Sequence, residues 1–217
     1  MTHEPKISVR GVGSVSWPPD TTVISFSITA RSREYSQAVQ ELNERVAELR
    51  GRLEGAGVDP KRLKTTRFGV DAEYRTVEKK QVFWGWRAGH GLRLELPVDR
   101  DLLNKALEAV ATSSTDAEFA VGFEVKDRAG LREAVLAEAT KTARRNADAI
   151  VSAAGCRLGR VLGIEYHWSE IRFGSFEHTL SRGMMAEACA APDIEPEDVD
   201  AQDSVTFVWE LMEGETR

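Results

Sequence analysis

The sequence predicts an α+β fold, in which two long helices pack on antiparallel or mixed sheets and a short helix connects two β-α-β-β-like halves. Two patterns predict it. Apolar and polar residues alternate in several segments, as in half-buried strands, and two long segments carry apolar residues at the three- and four-residue spacing of a helix. The 217 residues, of which 41% are hydrophobic, suffice for a folded core.

The first two strands are predicted close to the N-terminus. Residues 7–17 alternate with Ile7, Val9, Val15 and Trp17 on one face, and Pro18-Pro19-Asp20 ends the pattern. Alternation resumes over residues 24–29. Because the two strands are joined by a short turn, we predict that they pair with each other as a hairpin.

The helices follow from apolar stripes and their end signals. The first long helix has its stripe between Ala38 and Ala56 and ends at Gly57. Asp99 is placed to cap the short connecting helix, and Asp127 to cap the second long helix. The stripe of that second helix contains Leu131, Val135, Ala139, Ala143, Ala147, Ile150 and Ala154. Its small alanines predict a close approach to a sheet or to another helix.

A long hairpin is predicted over residues 66–96, with its turn at 78–81. One strand places Thr66, Phe68, Val70, Ala72 and Tyr74 on one face. The other places Val82, Trp84, Trp86, Ala88, Leu92, Leu94 and Leu96 on one face, with Gly85, Gly89 and Gly91 opposite. At about 3.3 Å per residue the second strand could reach about 50 Å, so it must bend or protrude. A bulge or a close backbone approach is expected at the glycines.

The order of elements suggests a weak internal repeat. Residues 21–97 and 117–211 both follow the order strand, long helix, strand, strand, so we predict a single domain over 6–212 with tails at 1–5 and 213–217. The last two strands are predicted at 161–173 and 205–211. The acidic segment between them, 174–203, is predicted to be a loop that is either functional or poorly ordered.

Several classes of chemistry are not supported by the residues. A net charge of −6 argues against nucleic acid as a partner. The two cysteines, Cys156 and Cys189, have no zinc-site spacing, so no metal is expected. Gly11-Val12-Gly13 lies in a predicted strand and lacks a dinucleotide loop's third glycine. No local catalytic motif occurs, and we therefore predict a protein that is not an enzyme and takes no cofactor.

The sequence also bears on location. No apolar run is long enough to span a bilayer, and no export signal precedes the first strand. We expect a cytoplasmic protein, or a periplasmic or other extracytoplasmic one if a leader has been removed.

Aromatic residues near the end of the 66–96 hairpin are the best candidates for an interaction site, because such residues bury a large area against a partner. They are Tyr74, Phe83, Trp84 and Trp86. The alternative is that Trp84 and Trp86 only cover the first long helix, and both interpretations stay open.

Two histidines are further candidates. His167 and Glu165 lie on one face of a predicted strand, where they could form a ligand pocket, although a solvated face is the competing interpretation. His90 lies on the apolar face of the long strand and is predicted to be half-buried and hydrogen-bonded.

A spread pattern resembles the SIMPL domain family, formerly a domain of unknown function, which includes bacterial periplasmic immunogenic proteins and a eukaryotic signalling branch. The similar elements are Ile7 to Gly13 with Pro19-Asp20, Gly57-Val58-Asp59, Tyr74 with Gly85-Trp86-Arg87-Ala88, the alanine-rich helix with Leu158-Gly159, and Ile194-Glu195-Pro196. Glu197 departs from the pattern, because a glycine often follows the closing proline there.

The resemblance implies an α+β fold, ring-like or channel-like oligomers, and roles in stress response, envelope biology or signalling scaffolds. It supplies no catalytic residues. Our first hypothesis is a non-enzymatic homo-oligomer, also able to bind a protein partner, that assembles through strand edges and the 66–96 hairpin. The alternatives are a small-molecule-binding protein or unrecognised enzyme with a pocket near Glu165 and His167, and a peptide binder that works by strand addition.

Overall fold

The computed structural model describes residues 5–115, 117–167, 178–180 and 195–213. The predicted α+β fold class is confirmed, with helices and two antiparallel sheets. The strands are β1 (Lys6–Trp17), β2 (Thr21–Ser32), β3 (Leu63–Val77), β4 (Lys80–Pro97), β5 (Glu118–Glu124), β6 (Cys156–Glu165), β7 (His178–Leu180) and β8 (Val199–Glu213). The α-helices are α1 (Tyr35–Gly55), α2 (Arg100–Ala111) and α3 (Arg128–Ala153), and Pro60–Arg62 forms a single 3-10 turn.

The chain divides into two compact units. The first comprises the described residues of Met1–Pro18, Val125–Gly174 and Asp198–Arg217, and the second those of Pro19–Glu124 and Ser175–Glu197. The strands of the 117–211 segment divide between the two sheets, because β5 pairs with β2 while β6 and β8 pair with each other. A single domain built from two repeated halves stays a prediction.

The first unit is a three-stranded sheet, in the order β1-β8-β6, with α3 against one face. Val9, Phe207 and Trp209 lie in the buried layer between sheet and helix. Gly11 and Gly13 contact the helix so closely that a Cβ on either would overlap the α3 backbone at Ala139 or Val135. The predicted close approach of the alanine-rich helix is therefore confirmed.

The buried stripe of α3 differs from the prediction at its end. Ala147 is followed by Val151 as the next buried residue, whereas Ile150 is 51% exposed. Burial recurs at every fourth residue from Leu131, so the stripe turns gradually around the helix. We expected the stripe to step by three residues from Ala147 to Ile150, as on a helix that packs in a straight line. A stripe that turns around the helix matches a strand that twists along its length.

The second unit is a five-stranded sheet in the order β3-β4-β2-β5-β7. α1 packs on β2 and β4, and α2 packs on α1. The predicted stripe of α1 is confirmed, with buried residues Ala38, Leu42, Val46, Leu49 and Leu53. Strand residues that complete this core are Ile24, Phe26, Ile28, Ala88, Leu92 and Leu94.

The predicted hairpin of the first two strands is wrong. β1 pairs with β8, whereas β2 pairs with β4 and β5. The alternation of apolar residues identifies a strand correctly but does not select its partner, since any strand with a matching apolar face is a candidate.

Other local predictions have mixed outcomes. Asp99 and Asp127 cap α2 and α3 as predicted, each accepting a backbone N–H hydrogen bond of 2.9 Å. The predicted strand 161–173 is observed as β6, which ends at Glu165, and positions 168–173 lie outside the described residues. The predicted loop 174–203 contains β7 and the start of β8. In the described part of the chain, no helix has both the length and the apolar character needed to cross a membrane.

Candidate functional site

The β3–β4 hairpin is the longest two-stranded feature of the second unit. Glu78 and Lys79 form its two-residue turn, both with positive φ, as the tightest hairpin connections require. The register of the two strands shifts twice, once between Thr65 and Arg67 and once between Glu73 and Tyr74. These irregularities enclose a regular β3 segment, residues 67–73.

The second irregularity decides where the aromatic residues of β4 point. Glu73 lies opposite Gly85 and Tyr74 lies opposite Phe83, so Trp84 is an extra residue in β4. Beyond a bulge of this kind, the residues of the strand that pointed to one face of the sheet are replaced there by their sequence neighbours. The prediction that Trp84 shares a face with Trp86 is therefore wrong, because Phe83 takes that place.

Glycine is needed at this bulge, as the sequence led us to expect. Gly85 has φ +156, and a Cβ there would lie 2.6 Å from the carbonyl oxygen of Ser32. Any side chain at position 85 would push β4 away from the end of β2. The face exchange in β4 therefore depends on this glycine.

Four rings lie together on the helix side of the hairpin, and we call them the aromatic cluster: Tyr35, Tyr74, Phe83 and Trp86. Ring centroids are 5.4 Å apart for Tyr35 and Trp86, 5.9 Å for Phe83 and Trp86, and 5.8 Å for Tyr74 and Phe83. Trp86 packs against the core, whereas Tyr74 is 57% and Phe83 45% exposed. Trp86 thus covers α1, as one interpretation proposed, while the outer rings remain exposed.

Trp84 lies on the other face of the hairpin. The Arg75 guanidinium carbon lies 3.8 Å from the centroid of its ring, the geometry of a cation–π contact. The aromatic residues that the sequence grouped together are therefore divided between two surfaces.

β3 is an edge strand of the larger sheet. In the described part of the chain no strand pairs with its outer side. The face beside α1 carries Phe68, which is 52% exposed, and the half-buried Val70 and Ala72. The opposite face is charged: Arg31 Nε lies 3.2 Å and Arg87 Nε 3.7 Å from the carboxylate of Glu73. A long edge with one apolar face is a site at which another strand can pair.

His90 lies beside this edge. Its Nε2 is 2.9 Å from the Thr65 hydroxyl and its ring meets that of Phe68 edge to face, so the predicted half-buried, hydrogen-bonded histidine is confirmed. Partial burial, with a smaller contribution from the positive charge of Arg50, lowers the pKa of His90 below its ordinary value. Both effects favour the neutral form of the imidazole.

The second predicted site lies on the smaller sheet, on the face away from α3. Glu165 and His167 line an open cleft of about 650 Å³ there. The cleft is also lined by Arg10, Val12, Gln202, Asp203, Ser204 and Thr206. Arg10 donates a hydrogen bond of 2.8 Å to the Ser204 hydroxyl. The lining offers charged groups of both signs, which suits a small polar ligand more than an apolar one.

A buried carboxylate stands next to this cleft. Asp203 is 6% exposed and accepts hydrogen bonds from the Tyr166 hydroxyl, at 3.0 Å, and from the Ser204 amide, at 2.7 Å. Partial burial and the contact with Asp203 raise the pKa of Tyr166. The first of these bonds ties Tyr166, the residue before His167, to β8. Within the described ranges, His, Cys, Asp and Glu side chains form no group of three suited to a metal ion.

Comparison with known protein families finds a match that includes residues of both units. The family model SIMPL, described as "Protein of unknown function (DUF541)", matches residues 7–209. The chain belongs to the SIMPL family. The resemblance inferred from the sequence is thereby confirmed.

The SIMPL relatives include proteins named "Uncharacterized protein YggE". That of Edwardsiella ictaluri is 23% identical over 209 residues, spanning 95% of this chain and 87% of the relative. Those of Escherichia coli K12 and Shigella flexneri are each 22% identical, spanning 95% of this chain and 83% of theirs. The regulatory subunit of aspartate kinase from Thermus flavus aligns at 10% identity over 94% of this chain and 90% of its own, with a TM-score of 0.20.

Several residues of these surfaces were missed by sequence reasoning. Tyr35 joins the aromatic cluster from the first turn of α1, and its position three residues before Ala38 and seven before Leu42, in line with the helix's apolar stripe, was an available signal. Arg10 joins the cleft from the polar face of β1, where alternation predicted only solvent. Both contacts join elements distant in sequence, so spacing alone could not find them.

Proposed function

We propose that this SIMPL protein is a non-enzymatic assembly protein, which forms homo-oligomers through the β3–β4 hairpin. One observation carries the proposal: the outer edge of β3 has an apolar face that continues into the exposed rings of the aromatic cluster. Stress response, envelope organisation and signalling scaffolding are the roles that the resemblance implies for such an assembly.

The energetics favour association at this surface. An unpaired strand edge has backbone donors and acceptors that another strand can satisfy. Exposed Phe68, Tyr74 and Phe83 would bury apolar area on contact, at about 25 cal/mol per Å². Aromatic side chains are also enriched among the residues that dominate interface energies.

The test is native mass by light scattering over a range of protein concentrations. We expect an oligomer for the wild type and a shift toward monomer for the double variant Phe68→Ser/Phe83→Ser. Ile164→Ser is the matched control, because Ile164 is similarly apolar and 59% exposed but lies on β6 of the other unit. A wild type that stays monomeric at high concentration would overturn the proposal, as would equal effects of the hairpin variant and the control.

A second candidate function is binding of a small polar molecule in the cleft. It is favoured by the convergence of Glu165, His167 and Arg10, which come from two strands and the segment after β6. Thermal-shift screening of small polar compounds should find a stabilising ligand whose effect is lost in Glu165→Gln/His167→Ala. A ligand effect unchanged in that variant would dispose of this candidate.

A further inference from the structure

We infer that the partner of the β3 edge is β3 of a second copy, paired antiparallel about a twofold axis at Val70. The inference rests on the proposed function and deepens it, because it names the pairing register and the residues that meet. Three features of β3 support it: where its regular segment ends, how its two faces differ, and how its charges are placed.

The first feature is the position of the two register shifts. They lie between Thr65 and Arg67 and between Glu73 and Tyr74, so the regular part of the strand is 67–73. A bulge interrupts regular strand pairing. Two copies pair this whole segment only when residue 67 of one lies opposite residue 73 of the other. The midpoint of that register is Val70.

The second feature is the difference between the two faces. Directly opposite residues of antiparallel strands point to the same side of the sheet. With Val70 on the axis, Phe68 meets the second copy's Ala72, and Val70 meets Val70, so the two apolar faces become continuous. A register shifted by one residue would place apolar side chains against charged ones, because one step exchanges the faces of a strand.

The third feature is the charge pattern. In this register Arg67 faces the second copy's Glu73, and twofold symmetry produces that pair twice. Arg67 forms no ion pair with any other described residue of its own chain, whereas Glu73 already lies near Arg31 and Arg87. The complementary charges stand at both ends of the regular segment, where they select the register.

Neighbouring registers that keep the same faces are worse. Centring on Asp71 would place two Asp71 carboxylates opposite each other and Arg67 opposite Arg75, both like-charge contacts. Centring on Gly69 would pair Arg67 with Asp71, but it extends past the irregularity at Thr65 and leaves Glu73 outside the regular ladder. Of these three registers, only the one centred on Val70 pairs the whole segment 67–73 and also places opposite charges at both of its ends.

Disulfide trapping tests this arrangement. In a background with Cys156→Ser and Cys189→Ser, Val70→Cys would place two thiols on directly opposite positions. Their Cα atoms would be about 4.5–5.5 Å apart, within the range of disulfides. Ala72→Cys is the matched control on the same face, with its two copies about 13 Å apart. Mild oxidation should convert most of the Val70→Cys protein to covalent dimer and leave the control uncrosslinked.

Charge reversal gives an independent readout. Arg67→Glu should weaken association roughly tenfold, because two like-charge contacts replace two attractive ones. Arg67→Gln should weaken association less than Arg67→Glu, because it removes the attraction to Glu73 without adding a repulsion. Circular dichroism of each variant confirms that the monomer is folded.

The outcomes separate the two proposals. A wild type that assembles while Val70→Cys crosslinks no better than Ala72→Cys overturns the twofold register but leaves hairpin-mediated assembly intact. Association of Arg67→Glu that equals that of the wild type has the same meaning. A wild type that is monomeric throughout overturns both, and Val70→Cys dimers together with weakened association of Arg67→Glu support both.

Discussion

β1 and β3 each have an apolar face on the helix side of their sheet, but the helix covers the two faces to different extents. β1 presents Gly11 and Gly13, and the alanines of α3 lie directly on its backbone. β3 presents Phe68 and Tyr74, while α1 packs mainly on β2 and β4. Because its residues are small, β1 is covered closely by α3. The rings on β3 are not covered by α1 to the same extent, and about half of their area stays exposed. A strand left in this state is suited to a partner.

The largest expected effect comes from disrupting the contact between β1 and α3. Gly11→Val would force side-chain atoms into the backbone of α3, because a Cβ at this position would overlap the Ala139 carbonyl oxygen. We expect a loss of about 3 kcal/mol or more in the free energy of unfolding, measured by urea denaturation. Gly163→Val in β6 is the control, because a Cβ there meets nothing within 4 Å. Equal losses in the two variants would contradict the close packing of β1 on α3.

An intermediate effect separates the two tryptophans of β4. Trp86→Ala removes the ring packed on the core and on Tyr35, so we expect a loss of about 2 kcal/mol in unfolding free energy. Trp84→Ala removes a ring that is 45% exposed and contacts Arg75, so less than about 1 kcal/mol should be lost. Thermal and urea unfolding of both variants measure the difference. Similar losses would show that the bulge does not exchange the faces.

The smallest effect is on the pH dependence of stability. Because burial and Arg50 lower the pKa of His90 in the folded state, the unfolded chain binds its proton more readily. The stabilisation of the fold by neutral His90 is present above about pH 6.5, the ordinary pKa of histidine, and is lost as the pH falls through that value. The unfolding free energy should therefore fall less between pH 7.5 and 5 in His90→Gln than in the wild type.

Arg50→Gln provides the matching test for this histidine. Removing the nearby positive charge should raise the pKa of His90 toward its ordinary value and flatten the same pH dependence part of the way. An unchanged slope in both variants would show that the protonation of His90 is not coupled to folding near Thr65 and Phe68.

Sequence reasoning succeeded where one element alone carries the signal. The stripe of α1, the caps Asp99 and Asp127, and a bulge site at Gly85 follow from local periodicity and backbone preference, which act over a few residues. It failed where distant elements meet. β1 pairs with β8 rather than β2, and Phe83 takes the place beside Trp86 that was assigned to Trp84. Of the cleft, Glu165 and His167 were found but Arg10 was not.

By itself the sequence determined the α+β class, the positions of the long helices, the family, and the close approach of the alanine-rich α3 to a sheet or another helix. Each depends on which side chains recur at a given spacing, and that information is contained in the chain order. Only the tertiary structure decided the strand partners, the faces of the aromatic residues beyond the bulge, and the open edge of β3. Strand pairing is a choice among many chemically similar edges, which only the simultaneous packing of all elements resolves.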